Sequence, residues 1–168
     1  MGSHLIVITG PHDSGKTALA RTLVRYEGYK AHNVGDLLAD QLVREGALPA
    51  ERKDIGQAYL DTFGVDNYAR AIEAAAGVGV VLDGVRLTAA LAALRSHPRR
   101  ADLIHLARPG RGEIGADEPF ADDVIELQQQ ADAIVEWQSS VGQLHGAVSS
   151  VLRQWEAQHE TEVVRRTI

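Results

Sequence analysis

Four residues near the start of the chain have the types and the spacing to bind phosphate. Gly10, Gly15, Lys16 and Thr17 fill every fixed position of the pattern G-x-x-x-x-G-K-[ST]. Glycine adopts backbone angles that are closed to other residues, so such a loop can turn its N–H groups inward around an anion. The lysine can reach the β- and γ-phosphates of a nucleoside triphosphate, and the threonine hydroxyl can bind Mg²⁺. The pattern therefore predicts ATP and Mg²⁺ as cofactors.

Residues 10–17, which we call the phosphate loop, have the sequence context that the pattern needs. An apolar run at residues 5–9 predicts a strand before the loop, and residues 18–24 have helical spacing after it. The helix would direct the partial positive charge of its N-terminus at the same anion. The predicted nucleotide-binding residues are therefore Gly10, His12, Asp13, Ser14, Gly15, Lys16, Thr17 and Ala18.

Charged residues also stand just past the ends of three further predicted strands: Asp36, Asp83, Arg86, Arg108 and Arg111. Ligands of parallel sheets bind at the carboxyl ends of the strands, so we expect these side chains to meet the phosphate loop. Three of them also have a purely structural alternative. Asp36 suits a helix N-cap, Asp83 suits a turn at the end of a strand, and Arg86 suits an ion pair with a surface carboxylate.

Strands alternate with helices along the chain, which is typical of βαβ units around a parallel sheet. Strands are predicted at residues 5–9, 29–34, 77–82, 103–106 and 131–137. Helices are predicted at residues 18–24, 37–44, 51–63, 65–76, 87–96, 119–129 and 141–158, followed by a frayed tail at 159–168. A length of 168 residues favours a single α/β domain spanning residues 1–168.

The composition excludes several classes of protein. The absence of cysteine excludes disulfides, zinc–thiolate sites and a thiol nucleophile, and it fits a reducing, cytoplasmic compartment. A formal net charge of -6 without a basic stripe argues against nucleic acid as a partner. No apolar run approaches the roughly 18 residues of a membrane-spanning helix, so we expect no membrane partner. A homodimer remains possible, because nothing in the sequence decides the oligomeric state.

The residues after the strand at 77–82 favour transfer to an acceptor other than water. Motor ATPases usually place a glutamate directly after the strand-ending aspartate to polarise water, whereas Asp83 is followed by Gly84. The N-K-x-D segment with which guanine-specific switch proteins read the base is also absent from the sequence.

The phosphate loop, VGDLL at 34–38, LDGVR at 82–86 and the arginines at 108–111 occur in an order that resembles the nucleoside monophosphate kinase superfamily. The likeness covers about residues 5–155 and is strongest to the deoxynucleoside monophosphate kinase and dephospho-coenzyme A kinase-like branches. It implies a three-layer P-loop kinase fold whose five parallel strands lie in the order 2-3-1-4-5. It also implies an acceptor-binding helical region at about 36–76 and a lid at about 108–118.

The resemblance also implies roles for single residues, with Lys16 completing the catalytic set. Asp36 would orient an acceptor hydroxyl or accept its proton. Asp83 would hold Mg²⁺ through water, and Arg86 would grip phosphate near the point of transfer. Arg108 and Arg111 would close over the transferred group and exclude water.

The chain departs from the family pattern on the acceptor side. Adenylate kinase-like members have an arginine where this chain has Ala39, and the closest branch usually has another near Leu60. The sequence offers four cations that could replace them: Arg44, Arg52, Lys53 and Arg70.

These features predict a magnesium-dependent enzyme that transfers the γ-phosphoryl group of ATP to a small acceptor, either a (deoxy)nucleotide or a nucleoside-like or coenzyme-like molecule. The missing acceptor-side arginines leave open a nucleotide-binding regulatory module without transferase activity. A kinase that acts on nucleic-acid ends is the third alternative, which the acidic composition disfavours.

Overall fold

Among the described residues, five parallel strands form one sheet in the order β2-β3-β1-β4-β5. The structure is a computed structural model that describes residues 4–96, 101–107, 114, 118–136 and 140–166, with the side chains of the last helix described to residue 158. The strands are β1 (Leu5–Thr9), β2 (Lys30–Asn33), β3 (Val80–Asp83), β4 (Ala101–Ala107) and β5 (Ala133–Glu136). The observed strand order and the parallel pairing confirm the predicted α/β fold.

Helices cover both faces of this sheet and complete the three layers. They are α1 (Lys16–Glu27), α2 (Val34–Arg44), α3 (Ile55–Phe63), α4 (Val65–Ala75), α5 (Thr88–Ser96), α6 (Ala121–Gln129) and α7 (Val141–Arg166), with a turn of 3₁₀ helix at Arg52–Asp54 before α3. No helix within the described ranges combines the length and the apolar character that crossing a membrane requires.

The alternation of side chains along β1 divides the apolar core into two halves. Leu5 and Val7 pack on the face that α2 to α6 cover, whereas Ile6 and Ile8 pack on the face that α1 and α7 cover. All five residues of β1 are buried, as expected for the central strand of a parallel sheet covered on both faces. This rigid centre fixes the positions of the loops at its carboxyl end.

The register of the strands places three functional segments at that same end. Ile8 pairs with Asp83, and Asp83 pairs in turn with Asn33. The phosphate loop that follows β1 therefore lies beside the last residues of β3 and β2.

Most element boundaries differ from the predictions by a few residues, and two of the differences have a local reason. Helix α2 begins at Val34 directly after β2, because the side chain of Asn33 accepts a hydrogen bond from the backbone N–H of Asp36 at 3.3 Å. The N-cap is thus Asn33, and the alternative role of Asp36 as the cap is wrong. The tail predicted at 159–168 is also wrong over residues 159–166, since α7 continues to Arg166 through a stretch without glycine or proline, and the last two residues of the tail lie outside the described ones.

Candidate functional site

The phosphate loop joins β1 to α1 and holds two glycines in conformations that other residues avoid. Gly10 has a φ of 146°, and a Cβ atom built there would lie 2.4 Å from the carbonyl oxygen of Leu106. Gly15 has a φ of 96° at the N-terminus of α1. Ser14 between them is buried, and its backbone N–H donates to the carbonyl oxygen of Pro11 at 3.3 Å. The turn itself therefore requires glycine at both positions.

Lys16 is the first residue of α1, and its ammonium group folds back onto the phosphate loop. Nζ donates hydrogen bonds to the carbonyl oxygens of Gly10 at 2.9 Å and Pro11 at 2.5 Å. Burial, followed by the positive charge of Arg86, lowers the pKa of Lys16 to about 8, although nearby carboxylates act in the opposite direction. Lys16 therefore carries its positive charge at neutral pH in a partly desolvated site.

Asp83 presents an oxygen donor set that fits a magnesium ion. Its side chain is 3% exposed, and Oδ2 accepts hydrogen bonds from Thr17 Oγ1 at 3.0 Å and Asn33 Nδ2 at 3.1 Å. The buried Oδ1 has no hydrogen-bond partner within the described part of the chain. Carboxylate and hydroxyl oxygens are ligands that Mg²⁺ accepts together with water and substrate phosphates. Thr17 and Asp83 would hold such an ion, with Oδ1 free to bind it directly or through water.

The metal site would be incomplete without oxygen atoms from a ligand. No group of three or more histidine, cysteine, aspartate or glutamate side chains suited to a metal occurs among the residues that the structure describes. This is the arrangement that Mg²⁺ adopts when it is bound mainly through phosphates and water.

Arg86 lies three residues beyond β3 and pairs with Glu118. Nη1 of Arg86 donates a hydrogen bond to Oε1 of Glu118, and the two side chains are 18% and 8% exposed. The other carboxylate oxygen, Oε2, accepts a hydrogen bond from the backbone N–H of His12 at 2.8 Å. The carboxylate partner of Arg86 is therefore buried against the phosphate loop, unlike the surface partner that the structural alternative required.

Asp36 is the third residue of α2, and it forms an ion pair with Arg52 from the 3₁₀ turn. Arg52 Nη2 donates to Asp36 Oδ1 at 2.7 Å and to Asn33 Oδ1 at 3.1 Å. Both members of the ion pair are largely exposed, at 64% for Asp36 and 65% for Arg52. The pair can therefore exchange partners with an incoming ligand without the burial of an uncompensated charge.

One cavity of about 400 Å³ connects these groups. Its polar lining comes from the phosphate loop, β3 and the 3₁₀ turn, and its apolar lining comes from α2, α3, α4 and the segment before α6. The lining residues are His12, Asp13, Gly15, Lys16, Thr17, Asn33, Val34, Gly35, Leu38, Arg52, Lys53, Ile55, Gly56, Tyr68, Asp83, Gly84, Arg86, Pro119 and Phe120. The cavity thus has a charged end at the phosphate loop and a largely apolar end under α2 and α3.

The structure brings most of the predicted site residues together. The loop residues that line the cavity are His12, Asp13, Gly15, Lys16 and Thr17, and they are joined there by Asp83 and Arg86. Gly10, Ser14 and Ala18 are absent from the lining, and so is Asp36, which adjoins it through Arg52. Arg108 and Arg111 lie outside the described residues, as does most of the predicted lid at 108–118, and their roles stay predictions.

Sequence reasoning missed several residues that line this cavity or close it. Asn33, Tyr68 and Phe120 line it, and Glu118 contacts two of its lining residues. Phe120 has a φ of 60° and packs so closely on Gly56 that an added Cβ atom would lie 2.8 Å from its ring. The position of Asn33 at the carboxyl end of a strand was a usable signal, and Glu118 is the last residue of the predicted lid, whereas nothing in the sequence places Phe120 against Gly56.

Comparisons with known proteins support the fold. No family model matches the chain, and no curated protein matches it. Among solved structures it is similar to shikimate kinase from Aquifex aeolicus, with a TM-score of 0.56, 17% identity, and coverage of 92% of this chain and 98% of that chain. It is also similar to shikimate kinase from Acinetobacter baumannii in complex with shikimate, with a TM-score of 0.53, 14% identity, and coverage of 92% and 94%. The likeness to TT1252 from Thermus thermophilus has a TM-score of 0.50, 18% identity, and coverage of 92% and 98%.

These neighbours, together with the strand order, define the class to which the fold belongs. The chain has the P-loop kinase fold of the nucleoside monophosphate kinase-like type that its sequence resembles. At identities below one fifth, the likeness carries the fold, and the chemistry has to be argued from this chain's own residues.

Proposed function

We propose that this protein is a magnesium-dependent phosphotransferase that moves the γ-phosphoryl group of ATP to a small acceptor molecule. The observation that carries the proposal is the convergence of the phosphate loop, Asp83 and Arg86 on one cavity. Phosphoryl transfer depends mainly on positioning and on the neutralisation of charge, and these are the groups that supply both.

Each group at the charged end of the cavity has a separate task in this proposal. The loop amides and Lys16 bind the triphosphate, and Thr17 and Asp83 hold the magnesium ion. When bound, ATP would supply the phosphoryl group, and Mg²⁺ would neutralise part of the negative charge on its phosphates. Arg86 stabilises negative charge on the group in transfer. Arg108 and Arg111 are proposed to assist from the lid.

At the acceptor end, the proposal assigns the two members of the exposed ion pair. Asp36 orients the acceptor hydroxyl. As the new bond from oxygen to phosphorus forms, the proton of that hydroxyl moves to Asp36 or, through Asp36, to water. The bond between the γ-phosphorus and the bridging oxygen breaks in the same step, and ADP leaves with the electron pair. Arg52 holds a polar or anionic group of the acceptor.

The lining of the cavity also favours certain replacements for the missing cations at Ala39 and Leu60. Arg52 and Lys53 line it, whereas Arg44 and Arg70 do not. The remaining lining at this end is apolar: Val34, Leu38, Ile55 and Phe120. We infer an acceptor that presents a polar or anionic group to Arg52 and a ring to the apolar lining. A (deoxy)nucleotide, a nucleoside-like or coenzyme-like molecule, and a hydroxy acid such as shikimate each contain a ring and at least one such group.

The test is ADP release from purified protein with ATP, Mg²⁺ and a panel of acceptors. The panel contains deoxynucleoside monophosphates, nucleosides, dephospho-coenzyme A and shikimate, with a reaction without acceptor as the control. We expect at least one acceptor to raise ADP release well above the control, and chelation of Mg²⁺ to abolish it. Tight binding of ATP without turnover on any acceptor would instead favour a regulatory nucleotide-binding module.

A further inference from the structure

The carboxylate of Glu118 accepts hydrogen bonds from two donors that, in the proposed reaction, would bind phosphate oxygens. One oxygen accepts the backbone N–H of His12 in the phosphate loop at 2.8 Å, and the other accepts Nη1 of Arg86. These two donors come from different elements, the loop after β1 and the segment after β3. A single acidic side chain thus bridges the loop to the arginine that the proposal places on the transferred group.

The surroundings of this carboxylate are those of a bound anion. The side chain of Glu118 is 8% exposed, although a glutamate is seldom buried without a partner. Its negative charge is near enough to Lys16 to raise the pKa of that amine, against the larger lowering by burial and by Arg86. Two donors suited to a phosphate, the His12 amide and the Arg86 guanidinium, therefore bind one carboxylate of the chain itself.

Carboxylate and phosphate oxygens are equivalent acceptors for these donors. Both carry negative charge, and both form short, charge-assisted hydrogen bonds to guanidinium groups and to backbone N–H groups. Lys16 and Arg86 carry like charges that repel each other in a partly desolvated site. Glu118 supplies a compensating negative charge in direct contact with Arg86, while Asp83 is the carboxylate that acts most strongly on Lys16.

We propose that Glu118 is an internal substitute for a phosphate group, which a nucleotide must displace from His12 and Arg86 in order to bind. The inference rests on the proposed function and adds a residue that determines specificity. A triphosphate makes additional contacts with the rest of the phosphate loop and can displace the carboxylate. Orthophosphate can make fewer of these contacts than a triphosphate, so displacement of Glu118 costs it a larger share of its binding free energy and Glu118 discriminates against it.

The experiment compares the binding of inorganic phosphate and of ATP with Mg²⁺ to the full chain by titration calorimetry. Glu118→Gln keeps an oxygen that can accept the His12 N–H but removes the charge. We expect it to bind inorganic phosphate about tenfold more tightly than the wild-type chain, which corresponds to about 1.4 kcal/mol, and to bind ATP more tightly as well.

Glu126→Gln is the matched control. Glu126 is exposed on α6, where its Oε1 accepts a hydrogen bond from Gln130 Nε2, so this variant changes the net charge by the same amount at another place. Phosphate affinity should stay at the wild-type value in the control. Equal or weaker phosphate binding by Glu118→Gln than by Glu126→Gln would overturn the inference, because a merely structural role for Glu118 predicts no gain in affinity.

A second variant allows the inference to be tested even if Glu118→Gln does not fold. Glu118→Asp keeps the charge but shortens the side chain by one methylene group, so that its carboxylate no longer spans His12 and Arg86. Circular dichroism establishes which variants are folded, and a folded Glu118→Asp should also bind phosphate more tightly than wild type. Unchanged affinity in that variant would likewise count against the inference.

The outcomes separate this inference from the proposed function. If wild-type protein binds ATP and loses that binding on Lys16→Met, but the Glu118 variants show no gain for phosphate, the inference alone fails. If wild-type protein does not bind ATP, the proposed function fails. A gain for phosphate in Glu118→Gln would in that case still identify the carboxylate as an anion substitute.

Discussion

At the phosphate-loop end of the cavity, the side chains of Asp83, Arg86 and Glu118 are largely buried, whereas at the acceptor end those of Asp36 and Arg52 are largely exposed. Asp83 is 3% exposed and accepts from two side chains, while Asp36 and Arg52 are 64% and 65% exposed. A preorganised, desolvated end suits the triphosphate that we propose as its ligand. The exposed ion pair of Asp36 and Arg52 can instead exchange its partners for polar groups of the proposed acceptor.

Asn33 connects the two ends. Its Nδ2 donates to Asp83 at the charged end, and its Oδ1 accepts from Arg52 and from the backbone N–H of Asp36 at the acceptor end. A movement of Arg52 can therefore shift Asp83, the proposed metal ligand, through the side chain of Asn33. The following changes test how separate the two ends are.

Lys16→Met should have the largest effect and should act at the charged end alone. The variant loses the ammonium group that the proposal places on the triphosphate, and we expect kcat/KM for ATP to fall by about a hundredfold or more. Steady-state kinetics measures the loss, and circular dichroism should show an unchanged fold. Turnover within a factor of two of wild type would contradict the assigned role of Lys16.

The pH dependence of nucleotide binding should come next in size. The pKa of Lys16 is about 8, so its charge is present below that pH and is lost above it. The Kd for ATP should rise above pH 8 by up to about tenfold per pH unit, because the triphosphate then meets a neutral amine. Lys16→Arg keeps its charge and should give a flat profile over the same range.

The same pKa shift makes a statement about stability that calorimetry can check. The pKa of Lys16 is about 8 in the folded chain and 10.5 in the reference state, so the unfolded chain binds more protons between these values. Charged Lys16 therefore destabilises the fold below pH 8, and this effect disappears as the pH rises towards 10.5. The difference in melting temperature between wild type and Lys16→Met should narrow over that interval.

Arg52→Gln should act at the acceptor end alone. We expect the KM of the acceptor to rise by about tenfold, with the KM of ATP changed less than twofold, because Arg52 is exposed and is linked to the charged end only indirectly, through Asn33. Arg44→Gln removes an equal charge from a residue outside the cavity lining and serves as the control. An equal rise in the KM of ATP would show that Asn33 couples the two ends strongly.

Gly56→Ala should have the smallest effect. It tests whether the contact between Gly56 and Phe120 shapes the acceptor end of the cavity. The new methyl group would lie 2.8 Å from the Phe120 ring, which must turn away and change the shape of the acceptor end. We expect the acceptor KM to change by about fivefold. Alanine also favours helix α3 by up to about 1 kcal/mol, so the melting temperature should not fall. A lower melting temperature with unchanged kinetics would assign Gly56 to packing only.

Much of the charged end of the cavity could be predicted from the sequence, because its residues either follow one another in the phosphate loop or lie at the carboxyl ends of strands. The loop needs glycine at positions 10 and 15 because both have a positive φ, which is a local requirement of the backbone. Asp83 and Arg86 follow an apolar strand, and parallel strands bring their carboxyl ends to one edge. The strand order followed from the resemblance and is confirmed.

The acceptor end was less predictable because it is assembled from separate elements. The sequence offered four cations for two missing arginines, and only the packing of the 3₁₀ turn against α2 placed Arg52 on Asp36 and left Arg44 and Arg70 outside the cavity. No pattern at Phe120 indicated contact with α3.

The sequence by itself determined the parallel α/β sheet, the phosphate loop and the strand-end charges, because each of these depends on local backbone geometry or on hydrophobic periodicity. The tertiary structure alone decided that Glu118 meets His12 and Arg86, that Phe120 covers Gly56, and that Asn33 joins the two ends of the cavity. Those contacts join residues from distant parts of the chain, and only the packing of helices and loops around the sheet brings them within reach.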